Sequence, residues 1–270
     1  MESTFDRLGY GTYELDDPDE CVSGVAHAID TGYRHIDTAQ MYENESDVAS
    51  GIEQSALDRE DAFVATKLSP GNLGYDDAIR TARKSRDRLG VDTIDLLYVH
   101  WPIRSYDPAE TLPALDELVE EGVIEHVGLS NFRPDQLDRA RESLDAGIFA
   151  HQVECHPLLQ QDTLREYARE DDHWLVAYSP IARNEVADVP LLQAIAADHD
   201  ATPAQVSLAW LLSKESVAPI PKAAAHDHVT QNWAARDLEL TPAEIDQIDA
   251  LDHQERVVDF DAAPWNHVEG

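Results

Sequence analysis

Short apolar runs alternate with longer stretches of helical periodicity from one end of this chain to the other. The runs predict strands at residues 8–13, 34–37, 62–67, 94–100, 124–130, 149–154, 174–178 and 217–221. Between them the 3.6-residue pattern predicts helices, among them 18–29, 45–54, 76–88, 109–121, 134–144, 163–170 and 203–212. Two helix starts carry the same cap. Thr202-Pro203-Ala204-Gln205 and Thr241-Pro242-Ala243-Glu244 each put Thr at the N-cap, Pro first in the helix and Gln or Glu at the third position. Eight strands, each followed by a helix, predict an α/β fold of the (β/α)8 TIM barrel type. An open doubly wound sheet would want a glycine-rich phosphate loop after its first strand. Gly9-Tyr10-Gly11 opens no such loop. No linker or low-complexity tract interrupts the pattern, so residues 1–270 are expected to form one domain. Residues 252–270 read as an irregular tail in which Trp265 is the expected buried anchor.

With 43% hydrophobic residues and five Trp in 270 residues, the chain can bury a sizeable core. Its charge is unusual. Twenty Lys and Arg stand against 54 Asp and Glu, a formal net charge of −34. Nucleic acids and anionic membranes are bound through Lys and Arg, so both are excluded as partners. No apolar run approaches the ~20 residues of a membrane span, and Met-Glu-Ser-Thr-Phe-Asp is no secretory signal. Two Cys, Cys21 and Cys155, are too few for a disulfide framework and fit a cytoplasmic protein. The carboxylates are spread along the whole chain, and 16 of the basic residues are Arg. Only Lys67, Lys84, Lys214 and Lys222 are lysines. That pattern predicts the solvated acidic surface of a halophilic protein, its self-repulsion screened at ~1 M salt by a Debye length of roughly 3 Å.

In a barrel of this kind chemistry gathers where the strands end at the C-terminal mouth. The predicted ends present Asp37, Lys67, His100, Ser130-Asn131, Gln152 with Glu154, Tyr178-Ser179 and Lys222. Loops are polar, but a titratable or amide group at nearly every strand end is more than a loop requires. Taken singly, Asp37 reads as a helix cap, Lys67 as a solvated amine, His100 as a core histidine bonded to backbone, and Tyr42 as a half-buried packing residue. Taken together they form a proton donor. A phenol, with a pKa near ~10, donates poorly at neutral pH; a nearby ammonium stabilises the phenolate, and a carboxylate holds the ammonium in place.

Gly32-Tyr33-Arg34-His35-Ile36-Asp37-Thr38-Ala39, followed by Tyr42, Asn44 and Glu45, resembles the first signature of the aldo-keto reductases. The match continues through Ala65-Thr66-Lys67, Val99-His100-Trp101-Pro102, Val127-Gly128-Leu129-Ser130-Asn131-Phe132 and Gln152-Val153-Glu154-Cys155-His156-Pro157. It ends with Ala177-Tyr178-Ser179-Pro180 and Ile220-Pro221-Lys222. It covers nearly the whole chain in order. The ending Arg256-Val257-Val258 and Ala263-Pro264-Trp265-Asn266 looks most like the bacterial 2,5-diketogluconate and methylglyoxal reductase branch. The resemblance implies hydride transfer from NAD(P)H to the carbonyl of a small aldehyde, ketone or keto-sugar. In it Tyr42 is the general acid, Lys67 and Asp37 tune it, and His100 orients the carbonyl. Ser130, Asn131 and Gln152 hold the nicotinamide carboxamide, and Tyr178 stacks on the ring. Ser179, Pro180, Ile181 and Ala182 lie along the pyrophosphate. Thr12, Lys222, His228 and Asn232 complete the cofactor site, and Tyr13 and Trp101 line the substrate pocket. No metal and no macromolecular partner are implied, and a monomer is expected.

Three departures from the family pattern stand out. The hairpin that plugs the barrel bottom is short or missing. Ala223 and His228 stand where Ser and Arg follow the final lysine in the family, and Gln231 stands where Glu is common. The clamp for a 2′-phosphate is therefore incomplete, which puts NADPH preference in question. Two other classes remain in view: a metal-dependent hydrolase built on His35 and Asp37 with His100, His151 or His156, and a cofactor-binding regulatory subunit without turnover.

Overall fold

In the computed structural model, which describes residues 5–267, eight strands run parallel and in sequence order: β1 (Gly9–Gly11), β2 (His35–Asp37), β3 (Phe63–Leu68), β4 (Ile94–Val99), β5 (Ile124–Ser130), β6 (Ala150–Glu154), β7 (Trp174–Tyr178) and β8 (Val217–Pro219). Each pairs with the next. The barrel closes between its ends through a backbone bond from Gly11 N to Pro221 O of 3.1 Å. The closure explains the glycine that the chain spends here. A Cβ at Gly11 would lie 2.9 Å from the Ile220 carbonyl oxygen, so any side chain would push β1 off β8. The pair Gly9 and Gly11 thus serves packing, and β1 and β8 are shorter than the expected 8–13 and 217–221. Pro219 and Pro221 have no N–H to extend a ladder.

Between the strands lie α1 (Pro18–Thr31), α2 (Glu45–Gln54), α3 (Tyr75–Leu89), α4 (Pro108–Glu120), α5 (Pro134–Ser143), α6 (Asp162–Glu170), α7 (Pro190–Asp198), α8 (Pro203–Ser213), α9 (His226–Ala234) and α10 (Pro242–Asp249). Helices within the expected spans agree to within two residues. The Thr202 and Thr241 caps both form as reciprocal boxes: Thr202 N donates to Gln205 Oε1 at 2.9 Å, and Thr241 N to Glu244 Oε2 at 2.7 Å.

Two cores follow from the two-residue period of the strands. Val64, Leu68, Leu97, Val99, Val127, Leu129 and Leu175 face outward into the layer shared with the helices. Phe63, Ala65, Leu96, Tyr98, Ala150, Val176 and Ala218 face inward and fill the barrel. Gly128 belongs to this inner row, and a Cβ there would meet the Tyr98 ring at 2.3 Å. The inner rows end in different chemistry at the two ends. At the bottom Phe5 sits 5.2 Å from Phe63, 5.4 Å from Phe149, 5.0 Å from Trp174 and 4.9 Å from His35. No hairpin precedes β1 among the described residues; Phe5 fills the place. Arg7 ties the segment down by donating to the carbonyls of Leu212, Lys214 and Val217.

The tail departs from expectation in one respect. Its buried residues are Ala263 and Pro264, whereas Trp265 is half-exposed. The Trp265 indole donates to Asp259 at 2.9 Å, and the Arg256 guanidinium lies 3.9 Å above its ring. A ring with one polar edge and one cation-covered face is content at the surface.

Candidate active site

Continued to the mouth, the inner rows reach Asp37 on β2, Lys67 on β3, His100 just past β4, Ser130 on β5, Gln152 on β6 and Tyr178 on β7. Alternation therefore aims every one of them into the same space. Asp37 pairs with Ala65 in register, so Lys67 stands one inward step higher and its amine reaches back to the carboxylate. Lys67 is 0% exposed. It forms a salt bridge with Asp37 Oδ1 and donates to Thr38 O at 2.8 Å. The other Asp37 oxygen accepts from Gln152 Nε2 at 2.8 Å. Asp37 caps no helix; both its oxygens serve this network.

The Lys67 ammonium lies 5.1 Å from the centre of the Tyr42 ring, and the His100 ring 5.8 Å from it. Tyr42 comes from a single turn, Gln40–Tyr42, that follows β2. Burial is the first cause that pushes its pKa above the ordinary phenol value, and the Asp37 carboxylate is the second. Tyr42 therefore holds its proton, and the Lys67 ammonium stands where an incipient phenolate would have a cation at hand. Burial pulls the Lys67 amine down from its usual pKa, opposed by Asp37. Burial, then Lys67, holds the His100 imidazole well below its usual pKa. It stays neutral, with its Nδ1 buried and unpartnered.

Asn131 adopts a left-handed backbone at φ 63° and ties three strand ends together. Its amide donates to His100 O at 3.0 Å and Ser130 Oγ at 2.9 Å, and its oxygen accepts from Tyr178 OH at 2.9 Å. The result is a cavity of about 620 Å³. Tyr42, His100, Asp37, Ser130, Asn131, Gln152 and Tyr178 form its floor. Ser179, Pro180, Ile181, Arg183 and Lys222 line one flank, and Tyr13, Trp101 and Phe260 the other.

Five of the expected residues do not line this space; Lys67 is sealed beneath the floor, against Asp37. Thr12 is buried behind it, its hydroxyl donating to Asp37 O at 3.0 Å. Ala182 is buried, its N–H donating to Ser179 O at 2.8 Å. His228 and Asn232 stand on α9 beyond Lys222, the first exposed and the second buried. Four lining residues went unread in the sequence: Glu14, Met41, Val258 and Phe260. In the sequence Val258 belongs only to the ending that resembles the reductase branch, and nothing local marks it as a wall of a distant cavity. The Arg236 guanidinium, which could have replaced the missing arginine of a phosphate clamp from another loop, is committed elsewhere. It binds Asp6 at 2.7 and 2.9 Å and stacks 4.3 Å from the Trp233 ring. Arg183 lines the flank. His35 faces the aromatic cluster at the barrel bottom, and no group of three or more His, Cys, Asp or Glu among the described residues is placed to hold a metal.

A parallel barrel with a buried Lys–Asp pair beneath a tyrosine and a histidine at its mouth defines a class, and the comparisons agree. The aldo/keto reductase family model matches residues 7–253, and the chain belongs to that family. It is 37% identical over 267 residues to 2,5-diketo-D-gluconic acid reductase B of Corynebacterium, covering 98% of this chain and 95% of that one. It is 33% identical to a methylglyoxal reductase of Yersinia pestis, over 96% of this chain and 98% of the relative. The crystal structure of the Bombyx mori aldo-keto reductase in complex with NADP superposes with a TM-score of 0.89 at 29% identity. That match covers 96% of this chain and 92% of the other.

Proposed function

We propose that this protein is an NAD(P)H-dependent reductase of small aldehydes, ketones or keto-sugars. One observation carries the reading: the wholly buried Lys67–Asp37–Gln152 network under Tyr42, beside a neutral His100, at the floor of an open cavity. The lining suits a nicotinamide dinucleotide. Ser130, Asn131 and Gln152 offer amide and hydroxyl groups to a carboxamide, Tyr178 offers a ring face, and Arg183 and Lys222 offer cations to phosphates. Ser179, with φ 47°, turns the backbone along that flank. Bound there, the cofactor supplies the hydride. The chain does the rest. His100 orients the carbonyl oxygen, Tyr42 gives it the proton, and Lys67 stabilises the phenolate left behind. Trp101 and Tyr13 exclude water from the reacting carbon. Thr12 and Ala182 act by holding Asp37 and Ser179, and Asn232 and His228 belong to the adenine end.

We also infer a mixed cofactor preference. Ala223 is buried and has no hydroxyl, His228 offers a ring nitrogen in place of a guanidinium, and Arg236 is bound to Asp6. Lys222 and Arg183 remain as single cations without the paired hydrogen bonds of an arginine clamp on a 2′-phosphate. The acidic composition suggests a cytoplasmic, halophilic monomer that folds as one barrel domain and avoids nucleic acid. The test is oxidation of NADH and NADPH followed by absorbance, with aldehydes, diketones and keto-sugars at molar KCl. Turnover with NADH within about tenfold of that with NADPH is expected, one tenfold being ~1.4 kcal/mol. No oxidation of either cofactor with any carbonyl overturns the function. Rejection of NADH alone overturns the preference.

A further inference from the structure

Five acidic or basic side chains are buried among the described residues: Asp37, Glu45, Lys67, Asp95 and Glu154. Asp37 faces Lys67, Glu45 faces Arg88 at 2.5 Å, and Asp95 faces Arg59 at 3.6 Å. Glu154, 0% exposed at the mouth end of β6, has no Lys or Arg partner among the described residues. Its partners are two backbone amides and one buried histidine. Oε1 accepts from Val257 N at 2.7 Å and from His156 Nε2 at 3.0 Å, and Oε2 accepts from Val258 N at 2.9 Å. A buried carboxylate is costly unless its oxygens are filled, and two successive amides filling both oxygens hold a segment in one orientation.

The segment held is the irregular strap after α10. It is tied to the barrel on either side of this grip, by Glu255 N to Leu158 O at 2.7 Å and by Arg133 Nη1 to Pro264 O at 3.0 Å. Immediately beyond the grip, Val258 and Phe260 line the cavity, and Phe260 packs edge-on against Trp101 at 4.8 Å. No helix or strand holds these two side chains. Their place over the mouth depends on the amides that Glu154 accepts.

We propose that Glu154 is a positioning residue for substrate selectivity: by gripping Val257 and Val258 it seats Val258 and Phe260 as the apolar wall facing Trp101, so that carbonyl compounds with a bulky apolar group bind better than small ones. The proposal rests on the reductase reading above. Small dicarbonyls reach Tyr42 and His100 without touching the wall; an aromatic aldehyde leans on it.

The experiment compares methylglyoxal with 4-nitrobenzaldehyde on the unmodified protein, Glu154→Gln, Phe260→Ala and the double variant. The amide of Glu154→Gln keeps the shape but turns an N–H donor toward a backbone N–H. KM for 4-nitrobenzaldehyde should rise about tenfold in Glu154→Gln, the scale of a lost apolar contact, with a smaller change in kcat and in methylglyoxal KM. Because both substitutions undo one wall, the double variant should be no worse than the poorer single one. Equal losses on both substrates, no change in either, or additive losses would overturn the proposal. Hydrogen exchange of the unmodified protein decides the matter even if Glu154→Gln does not fold. The Val257 and Val258 amides should exchange at least ~100-fold more slowly than those of residues 252–254, although all lie outside helix and strand. Exchange at the rate of their neighbours would overturn the grip. Failure of the unmodified protein to oxidise NAD(P)H would instead overturn the reductase reading and leave the exchange result standing.

Discussion

The two ends of the barrel are built from the same inward rows of the same strands, yet they are opposite materials. At the mouth, buried carboxylates are filled: Asp37 by the Lys67 ammonium and the Gln152 amide, and Glu154 by two backbone amides and His156. At the bottom, His35, Phe63, Phe149 and Trp174 pack around Phe5, and the inner row there holds no Lys, Arg, Asp or Glu among the described residues. Histidines at the two ends differ in the same way. His100 has one buried nitrogen without a partner and otherwise lines the cavity, while His35 in the plug has both nitrogens buried and unpartnered. The difference separates two uses of polarity. At the mouth it is prepaid for a reaction; at the bottom it is tolerated inside a plug whose work is to close the barrel.

Four measurements can break or sharpen that contrast. The largest effect is expected for Lys67→Met, which leaves the Asp37 carboxylate buried without its cation. Stability should fall by about 3–5 kcal/mol, the cost of orphaning one partner of a buried pair, and carbonyl reduction should be nearly lost. Wild-type stability in urea unfolding would mean that the pair is solvated. Tyr42→Phe should lower kcat by ~10²-fold or more while the melting temperature stays within a few degrees, since only the proton donor is removed. Near-normal turnover would deny Tyr42 that role. Phe5→Ala is the mirror image. It should cost about 2 kcal/mol of stability by opening the plug, with kcat/KM per folded molecule unchanged. Lost activity in that variant would join the two ends that the structure keeps apart.

The last effect is a pH dependence. Burial lowers the pKa of His151 to about 3 and that of His173 to about 4, below the ~6.5 of an unfolded chain. The native protein keeps both neutral while the unfolded chain binds protons, so their contribution is fully present above ~6.5 and is lost as pH falls toward 4 and then 3. Each removes about 1.4 kcal/mol per pH unit in that window. His151→Gln should therefore show a shallower fall in unfolding free energy between pH 6.5 and 4.5 than the unmodified chain. Parallel profiles would place His151 in contact with water.

Much of this was legible along the chain because it is local or periodic. Alternation marks the strands, Thr-Pro caps mark two helix starts, and one polar residue after each apolar run marks the mouth. What was hidden depends on contacts far apart in sequence. Val258 and Phe260 become cavity walls only when the strap crosses the barrel, and Met41 only when the turn after β2 meets the mouth. Glu154 looks like any strand-end carboxylate until Val257 and Val258, a hundred residues on, present their amides. The helix Pro190–Asp198 is apolar on much of its surface, so no polar face marks its period. The shortness of β1 follows from a steric demand at the closing seam, which composition shows only as two glycines.

The scarcity of lysine has a practical meaning for anyone wishing to watch this protein bind. Of its four side-chain amines, Lys67 is sealed in the interior and Lys214 is held by both oxygens of Asp249 and covers the Trp210 ring. That leaves Lys84 exposed on α3 and Lys222 half-buried at the cavity. An acylating reagent followed by peptide mass spectrometry thus has a built-in pair of reporters: one on the far surface that serves as an internal standard, and one at the mouth whose labelling a bound dinucleotide should shield.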